Sequence, residues 1–394
     1  MNKYFAVLLS NRFISLISEY GYSILLNIIL AQISVHLVMF FWLIKAIAAL
    51  FSVKINSYIN ILNKKIFLIM LEILKAMLIL LIIFFKRSYG ILPIVFLIET
   101  INVIFNSTIY SITPKVVSKE KLIKFYSLYT SIGSISYFIA PLFVGIFLNV
   151  NENILFFIYA FLLCIGASLL FLLPKELTKF KTEENNKKKK RTSFSFFKDF
   201  KIVMKDRFIF NMFITSLITG TLGLIFDAYE VIFITKTLGI SSQVYSYLLS
   251  FLAVIFLLTS FIISFKKEFK NIYFSYGMGL FLYILYLLFF GNSRNLIMII
   301  ISYICLAIGQ TVMGISETNY RQNHLNSYEL AQIYTVSSSI DKFIGGMFVV
   351  IVGVIPNFSA HITNFNALLS IAVAMFVSII FCMLLYKKVC KRIN

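Results

Sequence analysis

Carboxylates interrupt stretches that are otherwise apolar enough to cross a bilayer, and a carboxylate in that setting is a group that binds a proton or a cation. Glu19 sits near the middle of NRFISLISEYGYSILLN, residues 11–27, and Asp227 lies within TLGLIFDAYEVIFIT. A charged side chain at bilayer depth is costly unless it faces protein or water, so each marks a functional site by default. Arg12 precedes Glu19 by two helical turns on one face, with Ser23 on the same stripe. The competing structural reading gives Glu19 a fixed cation on a neighbouring helix. Lys45, at similar depth in the next apolar run, is the candidate for that role, and Trp42 one turn earlier reads as a packing residue.

The elements that must hold these groups follow from hydropathy. At about twenty apolar residues per span, helices are predicted near 8–31, 35–55, 66–85, 91–112, 125–149 and 154–173, then 208–235, 244–265, 272–290, 296–318, 331–355 and 364–386. The fold class is thus all-α and membrane-embedded, with about twelve spans in two sets of six. The first, fourth, seventh and tenth spans each carry a polar stripe. These are Arg12, Ser15, Glu19 and Ser23; Glu99, Asn102, Asn106 and Tyr110; Thr219, Gly223, Asp227 and Glu230; and Gln310, Gly314, Glu317 and Arg321. Spans six, nine and twelve are almost wholly apolar, as lipid-facing helices are. Glu72 and Lys75, three apart on the third span, can pair with each other, whereas the adjacent Asp341 and Lys342 need separate partners.

Composition bounds the function. Of 394 residues 60% are hydrophobic and 13% charged, which excludes an ordinary soluble domain. The net charge of +20 is spread between apolar runs, so it reads as a topology signal and not as a nucleic-acid surface. Lys64, Lys65, Lys115, Lys119, Lys121, Lys124, Lys266, Lys267, Lys270, Lys387, Lys388, Lys391 and Arg392 fall on one side, against Lys86, Arg87, Lys236 and Arg294 on the other. Both termini are therefore expected in the cytoplasm of a plasma-membrane protein. Cys164, Cys305, Cys382 and Cys390 lack redox or metal spacing, and His36, His324 and His361 are dispersed. No metal site, cofactor or histidine-based catalytic site has a basis in the sequence. Arg12 and Glu19 break the apolar core that a cleaved signal peptide needs, so the first span reads as retained.

Three regions are predicted: a first half at 1–173, a basic linker at 174–207, and a second half at 208–394. Within the linker, Lys187 to Arg191 reads as a solvated run, and 194–207 as an amphipathic helix on the anionic leaflet, with Phe196, Phe197, Phe200 and Val203 on one face. One offset of 208 positions relates Glu19 to Asp227 and also aligns SKEKLIKFYSLYTSI, from Ser118, with NSYELAQIYTVSSSI, from Asn326. Gly145 and Gly353 share that offset. Parallel six-span repeats with a central site are a transporter architecture.

These features resemble the major facilitator superfamily, and within it the macrolide-efflux type of drug and small-molecule exporter. Asn56, Asn60, Asn63, Lys64 and Lys65 occupy the spacing of the family's loop motif between the second and third helices, with the basic pair retained and Asn in place of Gly and Asp. Glu72 and Lys75 resemble the acid and base that follow it, and Gly133, Ala140, Pro141 and Gly145 resemble the antiporter motif of the fifth helix. Glu19 is similar to the first-helix acid of such exporters, while Glu99 stands on the helix where many drug antiporters carry an arginine.

The resemblance implies alternating-access export of an amphipathic or cationic small molecule in exchange for protons, by a chain acting as a monomer. A desolvated carboxylate takes up a proton more readily than one in water, so proton and cation can compete for it. Glu19 and Asp227 lead the candidates, followed by Glu99, Glu230 and Glu317, with Asn102, Asn106 and Gln310 as orienting hydrogen-bonders. Arg12, Lys45, Asn60, Lys64, Lys65, Glu72, Lys75, Pro141 and Gly145 are assigned structural or gating roles. A lipid-linked saccharide flippase is the alternative transporter reading. A membrane sensor and an intramembrane enzyme are the alternatives of other classes, the last without a nucleophile or metal constellation to support it.

Overall fold

The computed structural model describes residues 3–55, 64–117, 122–148, 150–174, 206–264, 271–325 and 343–352, and every regular element among them is helical. In order these are α1 (Lys3–Ile33), α2 (Val35–Ile55), α3 (Lys64–Phe85), α4 (Ile91–Val116), α5 (Leu122–Phe147), α6 (Glu152–Leu170), α7 (Arg207–Ile232), α8 (Ser242–Ser264), α9 (Ile272–Gly291), α10 (Leu296–His324) and α11 (Phe343–Val352). Seven of the described helices are long and apolar enough to cross a membrane. The twelfth predicted span, the first part of the eleventh, the linker helix, Asn60 and the Asp341–Lys342 pair lie outside the described residues.

Helix starts follow from local chemistry. Asn151, Asp206, Asn271 and Asn295 each accept a backbone N–H of the first turn of α6, α7, α9 and α10, satisfying donors that the helix itself leaves open. At its other end α7 runs into a π-helical turn, Phe233–Thr237. Gly239 follows with φ of +68°, a left-handed conformation that costs glycine nothing and reverses the chain within a few residues of α8.

The distribution of side chains is that of a protein in lipid. On α3, Ile66, Met70, Ile73, Met77, Leu81 and Phe84 are all exposed and recur every three or four residues, while Glu72 and Lys75 on the opposite face are buried. An apolar outside and a charged inside are the reverse of a soluble helix.

The chain divides into two compact units, Met1–Arg191 with Ser241–Ala253, and Thr192–Ile240 with Val254–Asn394. In the first, α1 packs on α2, α5 and α6, α3 on α4 and α6, and α2 on α4. Gly21 makes the α1–α6 contact possible, because a Cβ there would overlap the Tyr159 ring. In the second, α9 and α10 pack closely. Tyr283 of α9 donates to the Thr219 carbonyl of α7 at 3.1 Å, and Tyr229 of α7 donates to the Val349 carbonyl of α11 at 2.8 Å.

Candidate functional site

In the first unit the interior charges of α1 to α4 gather into three linked groups. The deepest is built around Lys75, whose ammonium is 3.3 Å from Glu19 Oε1, 3.2 Å from Glu72 Oε2 and 3.1 Å from Ser15 Oγ. It also lies over the Phe105 ring, 4.6 Å from the centroid. Contact with Glu72 is a charge contact without hydrogen-bond alignment, since Glu72 Oε2 has no hydrogen-bond donor. Asn11 donates to Glu72 Oε1 at 3.4 Å and to the Gly166 carbonyl at 3.1 Å, tying α1, α3 and α6 together. Lys75 and Glu72 are sealed, at 1% and 0% side-chain exposure, whereas Glu19 keeps 14%. One acid of this triad therefore meets solvent and the other does not.

A second group joins α1, α2 and α4. Tyr22 donates to Glu99 Oε1 at 2.5 Å, and the Lys45 ammonium stands 3.7 Å from the same oxygen. Lys45 also donates to Ser23 at 2.8 Å and lies over the rings of Phe41 and Trp42, at 5.1 and 4.9 Å. The expected contact between Lys45 and Glu19 is thus corrected: Glu19 meets Lys75, and Lys45 meets Glu99. Lys75 reaches Glu19 from α3 and Lys45 reaches Glu99 of α4, so sequence adjacency of the first two spans did not decide the pairing. Trp42 donates to Asn27 Oδ1 at 3.4 Å, so it faces the polar group and not only packing neighbours.

The third group is Arg12, which donates to Asn106 Oδ1 at 2.6 Å and stacks over the Tyr129 ring at 4.6 Å. Asn102, one turn before Asn106, is buried with Oδ1 unpartnered. Lys65 donates to the carbonyls of Phe171 and Leu173, at 2.7 and 2.6 Å, just beyond the end of α6. Lys64 is buried, as are Pro141 within α5 and Gly145, where a Cβ would approach the Tyr247 ring to 2.6 Å.

In the second unit, Glu230 of α7 is buried and accepts a hydrogen bond from Tyr303 of α10. Asp227, three residues earlier, is exposed. Glu317 and Arg321 form an ion pair one turn apart on α10, with Arg321 buried, and Gln310 is half-buried on the same helix. Sequence reasoning did not anticipate Asn11, Tyr22 or Tyr303. Asn11 and Tyr22 were visible as polar groups in the first span, but tyrosines are too common in this chain for spacing alone to single out Tyr303.

The sequence profile of the Major Facilitator Superfamily matches residues 4–348. Among solved structures, the chain is similar to the nucleoside transporter NupG, with a TM-score of 0.77 at 14% identity over 98% of each chain. It is also similar to a bacterial homologue of the human lysosomal transporter Spinster, with a TM-score of 0.70 at 14% identity, covering 92% of this chain and 84% of that one. A third similar structure is the peptide transporter PepTSo, with a TM-score of 0.70 at 10% identity over 97% of this chain and 98% of that one. At such identities the likeness is one of fold. No curated protein matches the chain in sequence.

Proposed function

The chain belongs to the major facilitator superfamily and is a multi-pass membrane transporter, and from that premise we propose that it exports an amphipathic or cationic small molecule in exchange for protons. The observation that carries this reading is the run of acid-base groups held between membrane helices, with Glu19 kept partly open while its partner Lys75 is enclosed, and Glu99 and Lys45 both partly open. A permeating cation that reaches Glu19 competes with Lys75 for the carboxylate. Lys75 is already 3.2 Å from Glu72, so it has a second acid to neutralise when released. The partly exposed Lys45 ammonium over two aromatic rings marks a place where a cationic aromatic compound would be held by the same forces, a carboxylate and ring faces.

In this reading the macrolide-efflux type is the nearest functional pattern, twelve spans in two six-helix repeats are the full architecture, and alternating access is the mechanism. Glu19 and Asp227, equivalent in the two repeats, are the leading acids of the pathway, with Asn102, Asn106 and Gln310 as orienting groups. In this reading 1–173 and 208–394 are the two halves, 174–207 joins them, and the chain works as a monomer in the plasma membrane with both termini cytoplasmic.

The test is transport into inverted membrane vesicles for a panel of cationic and neutral amphipaths, with a pH gradient imposed and then dissipated. Cationic members are expected to accumulate only while the gradient stands. Accumulation of every transported compound regardless of the gradient would remove proton antiport from the reading. E19Q is expected to lose accumulation of the cationic members, and unchanged transport at all pH values would return Glu19 to a structural role.

A further inference from the structure

One buried acid is held differently from the ion-paired ones. Along α1 to α4, Glu19, Glu72 and Glu99 stand against Arg12, Lys45 and Lys75, and each acid has an ammonium within 3.7 Å. Fixed cations already balance that set. Glu230 is in another situation. It is 4% exposed, and its hydrogen-bond partner is Tyr303, a neutral hydroxyl that is itself 0% exposed.

The surroundings of Glu230 are aromatic. Phe226, one turn earlier on α7, and Phe233, at the start of the π-helical turn that follows, flank it on either side. Phe226 and Phe233 lie 5.7 and 5.3 Å from Phe290, whose ring stacks on Tyr303. The charged neighbours can be followed helix by helix among the described residues. α9, which supplies Tyr283, Tyr286 and Phe290, carries no charged residue, and neither does the described α11. On α10 the charges are Glu317, Arg321 and His324, of which the nearest is fourteen residues past Tyr303, or about 21 Å along the axis. On α7 itself the nearby charge is Asp227, another acid, while Lys236 and, beyond α9, Arg294 are exposed at the ends of their helices. An ionised carboxylate enclosed without a cation costs several kcal/mol in a protein interior, and a proton removes that cost.

We propose that Glu230 is the acid that carries the exchanged proton, enclosed as a neutral carboxylic acid, with Tyr303 as the positioning residue that fixes its orientation. This rests on the proton-antiport reading and names the site of coupling within it. The carboxyl takes its proton from water when α7 is open to the acidic side and returns it to water on the other side. The Tyr303 hydroxyl keeps its own proton throughout, donating a hydrogen bond to one carboxyl oxygen. Glu19 is then left to the substrate cation, with Lys75 as its tethered competitor.

Infrared difference spectroscopy on the purified full-length chain in lipid tests this without any substrate, because a protonated carboxylic acid has a carbonyl stretch that a carboxylate lacks and that moves in deuterium oxide. The band is expected in the parent protein at neutral pH, lost in E230Q, and retained in E19Q. Y303F keeps the carboxyl but removes its donor, so the band is expected to shift to higher frequency and persist, which also separates loss of the proton from loss of fold. Persistence of the band unchanged in E230Q overturns the assignment whatever transport does. The same preparations in proteoliposomes are scored for ethidium accumulation driven by a pH gradient, expected to be lost in E230Q. If the parent chain moves ethidium without regard to the gradient, the antiport reading fails and the coupling role of Glu230 falls with it. The band then still reports whether Glu230 is the neutral acid.

Discussion

At the scale of single residues, Lys75 matters more than any acid around it. Its ammonium is the shared partner of Glu19 and Glu72 and is 1% exposed. Removing it leaves one fully enclosed carboxylate and one partly exposed one without a cation. Breaking a buried pair in this way costs about 3–5 kcal/mol. K75M is accordingly expected to lower the thermal unfolding temperature of the detergent-purified protein strongly, and the double variant E72Q/K75M to recover much of the loss, because the sealed acid is then gone as well. Equal destabilisation in the single and double variants would show that Lys75 acts through packing on Phe105 and not through charge. Sequence periodicity exposed the Glu72–Lys75 pair, since residues three apart on a helix are neighbours. The reach of Lys75 across to α1 was not legible, because it depends on which faces of two helices meet, and hydropathy carries no such information.

At the scale of elements, the clearest demand falls on two glycines where α9 and α10 touch backbone to backbone. A Cβ at Gly279 would come within 2.8 Å of the Gly309 carbonyl oxygen, and one at Gly309 within 2.9 Å of the Gly279 carbonyl oxygen. Neither obstacle is a flexible side chain that can turn aside, so even alanine must push the helices apart. G279A and G309A are each expected to destabilise by about 1–3 kcal/mol, the range for overpacking a close contact, and the effects should be less than additive because one displacement relieves both. G277A, at a position with nothing within 4 Å, is the control that should be silent. Element existence was legible among the described residues: the ten predicted spans that fall wholly or largely on them coincide with helices, with ends that differ by at most six residues. What the apolar pattern could not show is the polar grip between them. Caps such as Asp206 and contacts such as Tyr283 to Thr219 depend on single side chains, and in a chain this rich in Phe, Ile and Leu one polar residue barely disturbs the pattern.

At the scale of the whole molecule, the orientation expected in the membrane rests on where Lys and Arg lie, and two contacts bear on its apparent exception. Lys86 and Arg87 are basic residues on the side expected to be poor in them. Lys86 is ion-paired with Glu152 and donates to Asn153 at 2.5 Å, and Arg87 stands 3.7 Å from the same carboxylate. Their charge is therefore partly neutralised locally, and they tie the end of α3 to the start of α6. At the opposite end, Lys65 binds the carbonyls that follow α6, so α3 and α6 run antiparallel, as an odd and an even span in an up-and-down order must. A phosphatase reporter, active only outside the cytoplasm, is expected to be active when fused after Tyr89 and inactive when fused after Lys121 or at Asn394. A fluorescent protein that matures only in the cytoplasm should give the reverse pattern. E152Q frees both bases, and because orientation is set by the sum over all short loops, the reporter pattern should survive that change. A phosphatase active at Asn394 would mean an odd number of spans or an inverted chain, and either would place the basic loops, and with them the direction of transport, on the wrong side for export.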